Sequence, residues 1–378
     1  MQVPVLATFL TPMNILLIGY YGKRNIGDDL FVQQLTHHLA QQENVESIFV
    51  FCQEAYYPPI SSKVHYLPSE TLSKFKKIEI LLKTDCIAWG GGTLNISSKP
   101  TSLLRLQTLA TILRKQFCFL GIGLEGTESG STAVARLFER SSLLYLRDRH
   151  SYNVATQQLS SAHQICLGGD LAFLDVSLYE NFIKSPLVKS DRLKHVAFCG
   201  KFWWGEGRAE FYARYLNALI DAYQTTIHLL PGHMGAERND NQFHQLLQKY
   251  LPISHCQIHE WQQPADFLTI LSQMDCCISN RLHSLVTADL LGVPNLGIGS
   301  HHSKIGHYVM KSGMIPSLRI ADLMEPLLLD RIEALVNHYQ RPTAFITNES
   351  QTARLNLHKL FTYSPSRGTP KNRASSAP

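Results

Sequence analysis

The feature that most constrains the fold is a short, wholly apolar run ending at glycine, Asn14–Gly19 (NILLIG). A continuous apolar run suits a strand covered on both faces, as in a parallel sheet. Residues 28–41 follow with Leu30, Phe31, Leu35 and Leu39 at helical spacing. The alternation recurs. Strands are expected at Ser47–Cys52, Cys86–Trp89, Phe117–Gly121, Leu143–Arg147 and Gln164–Leu167, with helices at Leu103–Arg114 and Ser131–Ser141. Strands joined by helices of this length imply right-handed βαβ units.

A second series begins at His195–Cys199. Its expected strands are Thr226–Leu230, Gln257–His259, Cys276–Ser279 and Asn295–Ile298. Its expected helices are Glu206–Tyr223, Asn239–Tyr250, Pro264–Gln273 and Ser284–Leu291, with later ones at Ala321–Tyr339 and Gln351–Phe361. The reading is α/β: two facing Rossmann-like domains with parallel sheets and an interdomain cleft. Their spans are 13–181 and 195–362, with a linker at 182–194 that also serves as a hinge. The tail, 363–378, is rich in Ser, Pro, Arg and Gly and is expected to be disordered.

Composition narrows the setting. A chain of 378 residues with 44% hydrophobic content excludes global disorder, and its net charge of +5 lacks the basic stripe of a nucleic-acid binder. Eight cysteines without a Cys-x-x-Cys pair argue against a zinc cage or dithiol site and point to buried thiols in a cytoplasmic protein. Met1–Met13 has no basic n-region and no clear cleavage site, so no signal peptide is read, and Met13 is a candidate start. No run is long enough to span a bilayer.

Ligands of open parallel sheets bind beyond the carboxyl ends of the strands. Four segments occupy such positions. Gly19–Asp29 (GYYGKRNIGDD) leads into a helix whose free N–H groups suit an anion or sugar hydroxyl, although a tight turn with Asp28 as helix cap fits the same residues. Its spacing is not that of a dinucleotide loop. Trp89–Asn95 (WGGGTLN) exposes backbone at Gly90, Gly91 and Gly92, for a ligand or for a crowded crossing. Leu146–Ser151 (LRDRHS) delivers Arg147 and Arg149 to opposite faces if the strand continues. One would meet a ligand; Arg149 suits a structural ion pair.

Ser279–Ser284 (SNRLHS) is the most informative. Arg281 offers a permanently charged fork for carboxylate or phosphate, His283 a proton-transfer group, and Ser284 a helix-start hydroxyl for a cap or an anion.

Together with GGDLAF and the Lys304 loop SHHSKIG, these motifs resemble the polysaccharide pyruvyl transferase family, over roughly Asn14 to Val309. The resemblance implies a GT-B-like fold. It implies transfer of pyruvate from phosphoenolpyruvate to two hydroxyls of one sugar of a polysaccharide or glycolipid precursor, as a cyclic ketal. Phosphoenolpyruvate is then a co-substrate, and no cofactor or metal is required. By matching motifs, His283, Arg281 and Arg147 are the expected catalytic residues. Arg147, Arg281, Ser284 and Lys304 are expected on the donor in the second half, and Asn25, Asp28, Gly91 and Gly92 on the acceptor in the first.

The chain departs from the family pattern at Lys201, where an arginine is usual, and at His301-His302-Ser303, where a tyrosine is usual. The loop Pro231–Asp240, carrying His233 and Asp240, falls in a variable region.

Two other readings fit the same architecture. One is a GT-B glycosyltransferase using a nucleotide sugar, with Glu260 as the only proposed ribose clamp. The other is a non-catalytic partner in polysaccharide assembly. The basic tail residues Arg367, Lys371 and Arg373 suit a weak peripheral contact at the inner membrane face, or simply solvent. Nothing in the sequence sets the oligomeric state.

Overall fold

The computed structural model describes residues 12–95, 100–125, 132–158, 165–183, 193–300, 302–313, 319–321 and 329–362. The tail at 363–378, most of the linker, His301 and the segment before Pro12 lie outside the described residues.

The first sheet is built from β1 (Met13–Ile18), β2 (Val45–Cys52), β3 (Val64–Pro68), β4 (Cys86–Gly90), β5 (Thr93–Asn95), β6 (Gln116–Glu125), β7 (Leu143–Leu146) and β8 (Ile165–Leu167). Its order is β3-β2-β1-β4-β6-β7-β8, with β5 on the far end of β6, and every pairing is parallel. Ile15, Leu16 and Leu17 on β1 are all fully buried, which is why that strand reads as an unbroken apolar run.

Helices α1 (Ile26–Ala40), α2 (Lys74–Lys83), α3 (Thr101–Ile112), α4 (Thr132–Glu139) and α5 (Arg149–Gln158) connect these strands. β3, β5, α2 and α5 are additions to the sequence reading. β3 is only half-buried and mixed in composition, and the outer side of α2 carries apolar residues, so neither of these two presents a clear periodic signal.

The second sheet runs β13 (Cys256–Ile258), β10 (Thr226–Leu229), β9 (His195–Cys199), β14 (Cys276–Ser279), β15 (Asn295–Ile298) and β16 (Ile320–Ala321), again all parallel. A small hairpin, β11 (Met234–Gly235) and β12 (Arg238–Asn239), interrupts the crossover after β10. The helices are α6 (Glu206–Tyr223), α7 (Asn241–Gln248), α8 (Pro264–Ser272), α9 (Leu282–Leu291) and α10 (Lys304–Lys311).

The helix expected from Ala321 is split. Ile320–Ala321 joins the sheet as β16, and a helix spans Leu329–His338. The last helix, Thr343–Thr362, begins before the expected Gln351. It follows the second half in sequence but packs on the first. Asn356 Nδ2 donates to the Leu167 and Gly168 carbonyls at 3.2 and 3.1 Å, and Arg354 Nε to the Leu174 carbonyl at 2.9 Å. Its buried Ile346, Ala353, Leu357 and Leu360 share one core with Leu171 and Phe173. All eight cysteines are buried, and none is joined in a disulfide.

The halves also meet through backbone. Ile26 N–H donates to the Gly232 carbonyl at 3.0 Å, and Met234 N–H to the Arg24 carbonyl at 2.8 Å. The loop after β1 is thereby clamped to the loop after β10, and the C-terminal ends of both sheets open into one cleft.

Candidate active site

A cavity of about 340 Å³ lies in that cleft. Its wall from the first half includes Asn25, Asp28, Gly91, Gly92, Thr93, Glu125 and Arg147. The second half supplies Lys201, Trp203, Arg238, Asn280, Arg281, His283 and Lys304 among others. Of the nine residues singled out from sequence, Ser284 alone does not line it. Ser284 lies inside α9, with Arg281 at the N-cap position, so it is no helix cap. Its buried hydroxyl makes no hydrogen bond among the described residues.

Arg281 is held by Asp240. Nε donates to Oδ2 at 2.9 Å, and Nη2 donates to Oδ1, a two-point grip. Asp240 is fully buried and also accepts the backbone N–H groups of Phe202, Gly232 and His233 at 3.0, 3.1 and 3.0 Å. Burial leaves its carboxyl above the usual value although Arg281 and these amides favour the charged form. The sequence reading left Asp240 without a role, because its partner lies far along the chain.

His283 stands on the first turn of α9. Its Nε2 is 3.7 Å from Asp170 Oδ2, an ion-pair separation longer than a hydrogen bond. Asp170 belongs to the other half, in the GGDLAF loop after β8. Its Oδ1 accepts the Ala172 N–H at 2.9 Å, and Oδ2 lies 3.5 Å from Arg147 Nη1. Burial alone would raise the Asp170 carboxyl, but His283, Arg147 and the amide outweigh it and hold it below its ordinary value. Burial lowers the His283 imidazole, and Asp170 offsets part of that. Phe31 meets the ring edge-on at 4.8 Å between centroids. A Cβ at position 27 would fall 2.0 Å from His283 Nδ1, so glycine is required where α1 begins.

Arg147 leaves the end of β7, is 6% exposed, and donates from Nη2 to Thr93 Oγ1 at 3.2 Å. β7 stops at Leu146, so the expected alternation of Arg147 and Arg149 gives way to a helix start. Asp148 accepts the Ser151 N–H at 2.8 Å, and Arg149 opens α5 as an exposed residue.

Asn25, not Asp28, caps α1, accepting the Gly27 N–H at 3.2 Å. This removes the capping role considered for Asp28, which sits in the first turn facing the cavity. Burial, with Asp29 beside it, pushes its carboxyl up to about 7. Gly91 has φ +71°, and a side chain there would strike Phe31.

Lys304 Nζ pairs with Glu125 Oε1 at 2.6 Å, linking the two halves at the cavity wall. Ser303, in the stretch that replaces the family tyrosine, caps α10 through the Gly306 N–H. Lys201 lies beyond β9, where burial and the charges of Arg281 and Lys304 pull its amine down to about 8. Its Nζ and the Arg281 guanidinium carbon lie 4.7 and 5.6 Å from the Trp203 ring centre. Trp203 is 56% exposed. Sequence reasoning missed Trp203 and Asp170 as site residues. The glycine pair before Asp170, just after a strand, was the available signal. Glu260 is exposed and does not line this cavity.

The fold is shared with nucleotide-sugar epimerases. The Neisseria meningitidis UDP-GlcNAc 2-epimerase, solved bound to UDP-GlcNAc, is 14% identical at a TM-score of 0.55, over 92% of this chain and 100% of that one. The UDP-N-acetylglucosamine 2-epimerase of Rickettsia bellii is 11% identical at 0.58, over 93% and 97%. Anabaena Alr3699/HepE, solved with UDP and glucose, is 13% identical at 0.57, over 93% and 100%. At such identities the likeness establishes the GT-B-like, two-domain α/β architecture alone. No curated protein matches the chain. The sequence profile of "Polysaccharide pyruvyl transferase" matches residues 25–302, a span that reaches into both halves and takes in Asn25, Asp28, Gly91, Gly92, Arg147, Arg281 and His283 of the cavity. The chain belongs to the polysaccharide pyruvyl transferase family.

Proposed function

We propose that the cleft transfers pyruvate from phosphoenolpyruvate onto a sugar of a polysaccharide or glycolipid precursor as a cyclic ketal. The observation that carries this reading is the lining of one small cavity by Arg147, Lys201, Arg238, Arg281 and Lys304, with His283 among them. Five cations around a proton-transfer group suit a small donor bearing both a carboxylate and a phosphate. Arg281, fixed by Asp240, serves as the bidentate anchor; Arg147, Arg238 and the two lysines share the remaining charge. Ser284 stands behind this wall.

The chemistry then follows in balanced steps. A proton moves to the methylene carbon of the donor, leaving an oxocarbenium-like centre at the carbon bearing the phosphate. One sugar hydroxyl adds there and gives up its proton. Phosphate departs with the C–O bonding pair, and a second hydroxyl closes the ketal, losing its proton in turn. One of the two hydroxyl protons replaces the one delivered to the methylene, and the other leaves with phosphate.

His283 is the proton donor to the methylene. Burial favours its neutral form, and the negative charge of the donor beside it favours the imidazolium. Asp28, from the other half and with its carboxyl raised to about 7, receives a hydroxyl proton in its ionised form. Asn25 and the Gly91–Gly92 backbone orient the sugar. No separate cofactor or metal is called on.

The test is incubation of the full chain with phosphoenolpyruvate and a panel of glycans and lipid-linked sugars, read by mass spectrometry and phosphate release. A pyruvate ketal on one acceptor is the expected product. Turnover of a nucleotide sugar instead would replace this reading with glycosyl transfer.

A further inference from the structure

Helix α2 presents its apolar residues outward. Ile80 and Leu81 are buried against the first sheet, but Phe75, Ile78 and Leu82 are 86%, 51% and 55% exposed. Their spacing of three and four places them in one stripe along the outer face. α3 lies on the same side of the sheet, because both helices bury residues in one core with Leu16, Ile18 and Ile87. It adds Ile112, 72% exposed. Lys115, just beyond the end of α3, ties that end to α2 by donating from Nζ to the Leu82 carbonyl at 3.0 Å.

Cations surround this stripe. Lys74, Lys76, Lys77 and Lys83 lie on α2, and its one acid, Glu79, is neutralised by Lys76 and Lys83 at 2.9 and 2.8 Å. Apolar side chains ringed by lysine match a bilayer interface carrying anionic headgroups. A second copy of the same face would set lysine against lysine, which opposes a symmetric dimer.

We propose that the outer face of α2, extended by Ile112, docks on the surface of an anionic lipid bilayer. The stripe enters the headgroup boundary while the lysines meet lipid phosphates. The contact belongs to the first half, away from the cavity wall, and differs from the tail contact considered from sequence. It stands independently of the reaction assigned to the cleft, since its readout is lipid binding and not turnover.

The experiment is co-sedimentation of the full chain with phosphatidylcholine vesicles and with vesicles that also contain phosphatidylglycerol. Wild type is expected to bind the second kind preferentially, and less so as salt rises. Phe75→Ser/Ile78→Ser/Leu82→Ser, with an unchanged melting temperature, is expected to abolish binding. Lys74→Gln/Lys83→Gln is expected to weaken it about 25-fold, at roughly fivefold per lysine. Equal binding to both vesicle types, no binding to either, or full binding by the triple variant would overturn the proposal. So would concentration-dependent self-association that the triple variant loses, because the face would then be an interface between copies.

Discussion

His283 Nε2 faces Asp170 Oδ2 at 3.7 Å, and the two residues come from different halves of the molecule. The proton-transfer group and the charge that supports it therefore meet only when the halves are seated together. Asp170 favours protonation of His283, while burial and the neighbouring Arg147 and Lys304 oppose it.

Asp170→Asn removes that support. The expected loss in kcat is about 100-fold or more, and His283→Ala is expected to cost about 100- to 10,000-fold. The sharper readout is the pH profile of phosphate release. Without the Asp170 charge, the limb set by His283 moves to lower pH. An unmoved limb would count against the pairing.

Arg281→Lys keeps the charge but cannot reproduce the two-point grip on Asp240. We expect kcat/KM for phosphoenolpyruvate to fall at least about tenfold, with KM carrying most of the loss. Thermal unfolding should move little, because Asp240 keeps its three backbone donors. An unchanged KM would remove Arg281 from the donor site.

Lys201, held at about 8, loses its charge within an accessible range. The amine is cationic below that value and neutral above it. Donor kcat/KM in wild type is therefore expected to decline as pH passes through about 8. Lys201→Arg stays charged, so the added loss near that point should be missing from its profile. Parallel profiles would assign the decline to another group.

Gly27→Ala should disable the site, since the added carbon would collide with His283. Gly205→Ala is the control, with nothing within 4 Å of the added carbon. Activity of both variants should be read beside their melting temperatures. Full activity in Gly27→Ala would show that the His283 ring is free to shift.

His244 predicts an acid weakness. Its Nε2 accepts the Gly200 N–H at 3.2 Å, so Nδ1 carries the proton toward Asn241 Oδ1 at 2.9 Å. Burial, then Arg281 and His259, lower its value to about 3 in the folded protein, against an ordinary value near 6.5. The unfolded chain therefore binds the extra proton first. This contribution to stability is intact above about 6.5, erodes as pH falls below that, and levels off near 3. Asp28 and Asp29, raised to about 7, act in the opposite sense. The measurement is thus the difference in melting temperature between wild type and His244→Gln, which should shrink as pH falls from 7 to 4.

Much of the architecture was legible in the chain. Doubly buried strands such as β1 must be apolar throughout, and the loops at their ends carry Arg147, Arg281 and His283. Burial and strand polarity are local constraints, so they leave local patterns. Other elements left none: β3 is half-wet, and α2 turns apolar residues to solvent. The partners of the site residues were equally silent. Asp170 is 113 positions from His283, Asp240 is 41 from Arg281, and Glu125 is 179 from Lys304. What the sequence determined alone was two parallel sheets and the side chains presented at their carboxyl ends. Which cation is anchored, which histidine is supported and which carboxyl is raised were decided only by seating one half on the other. Those properties depend on charge separation and exclusion of water, and both are set by distance in space.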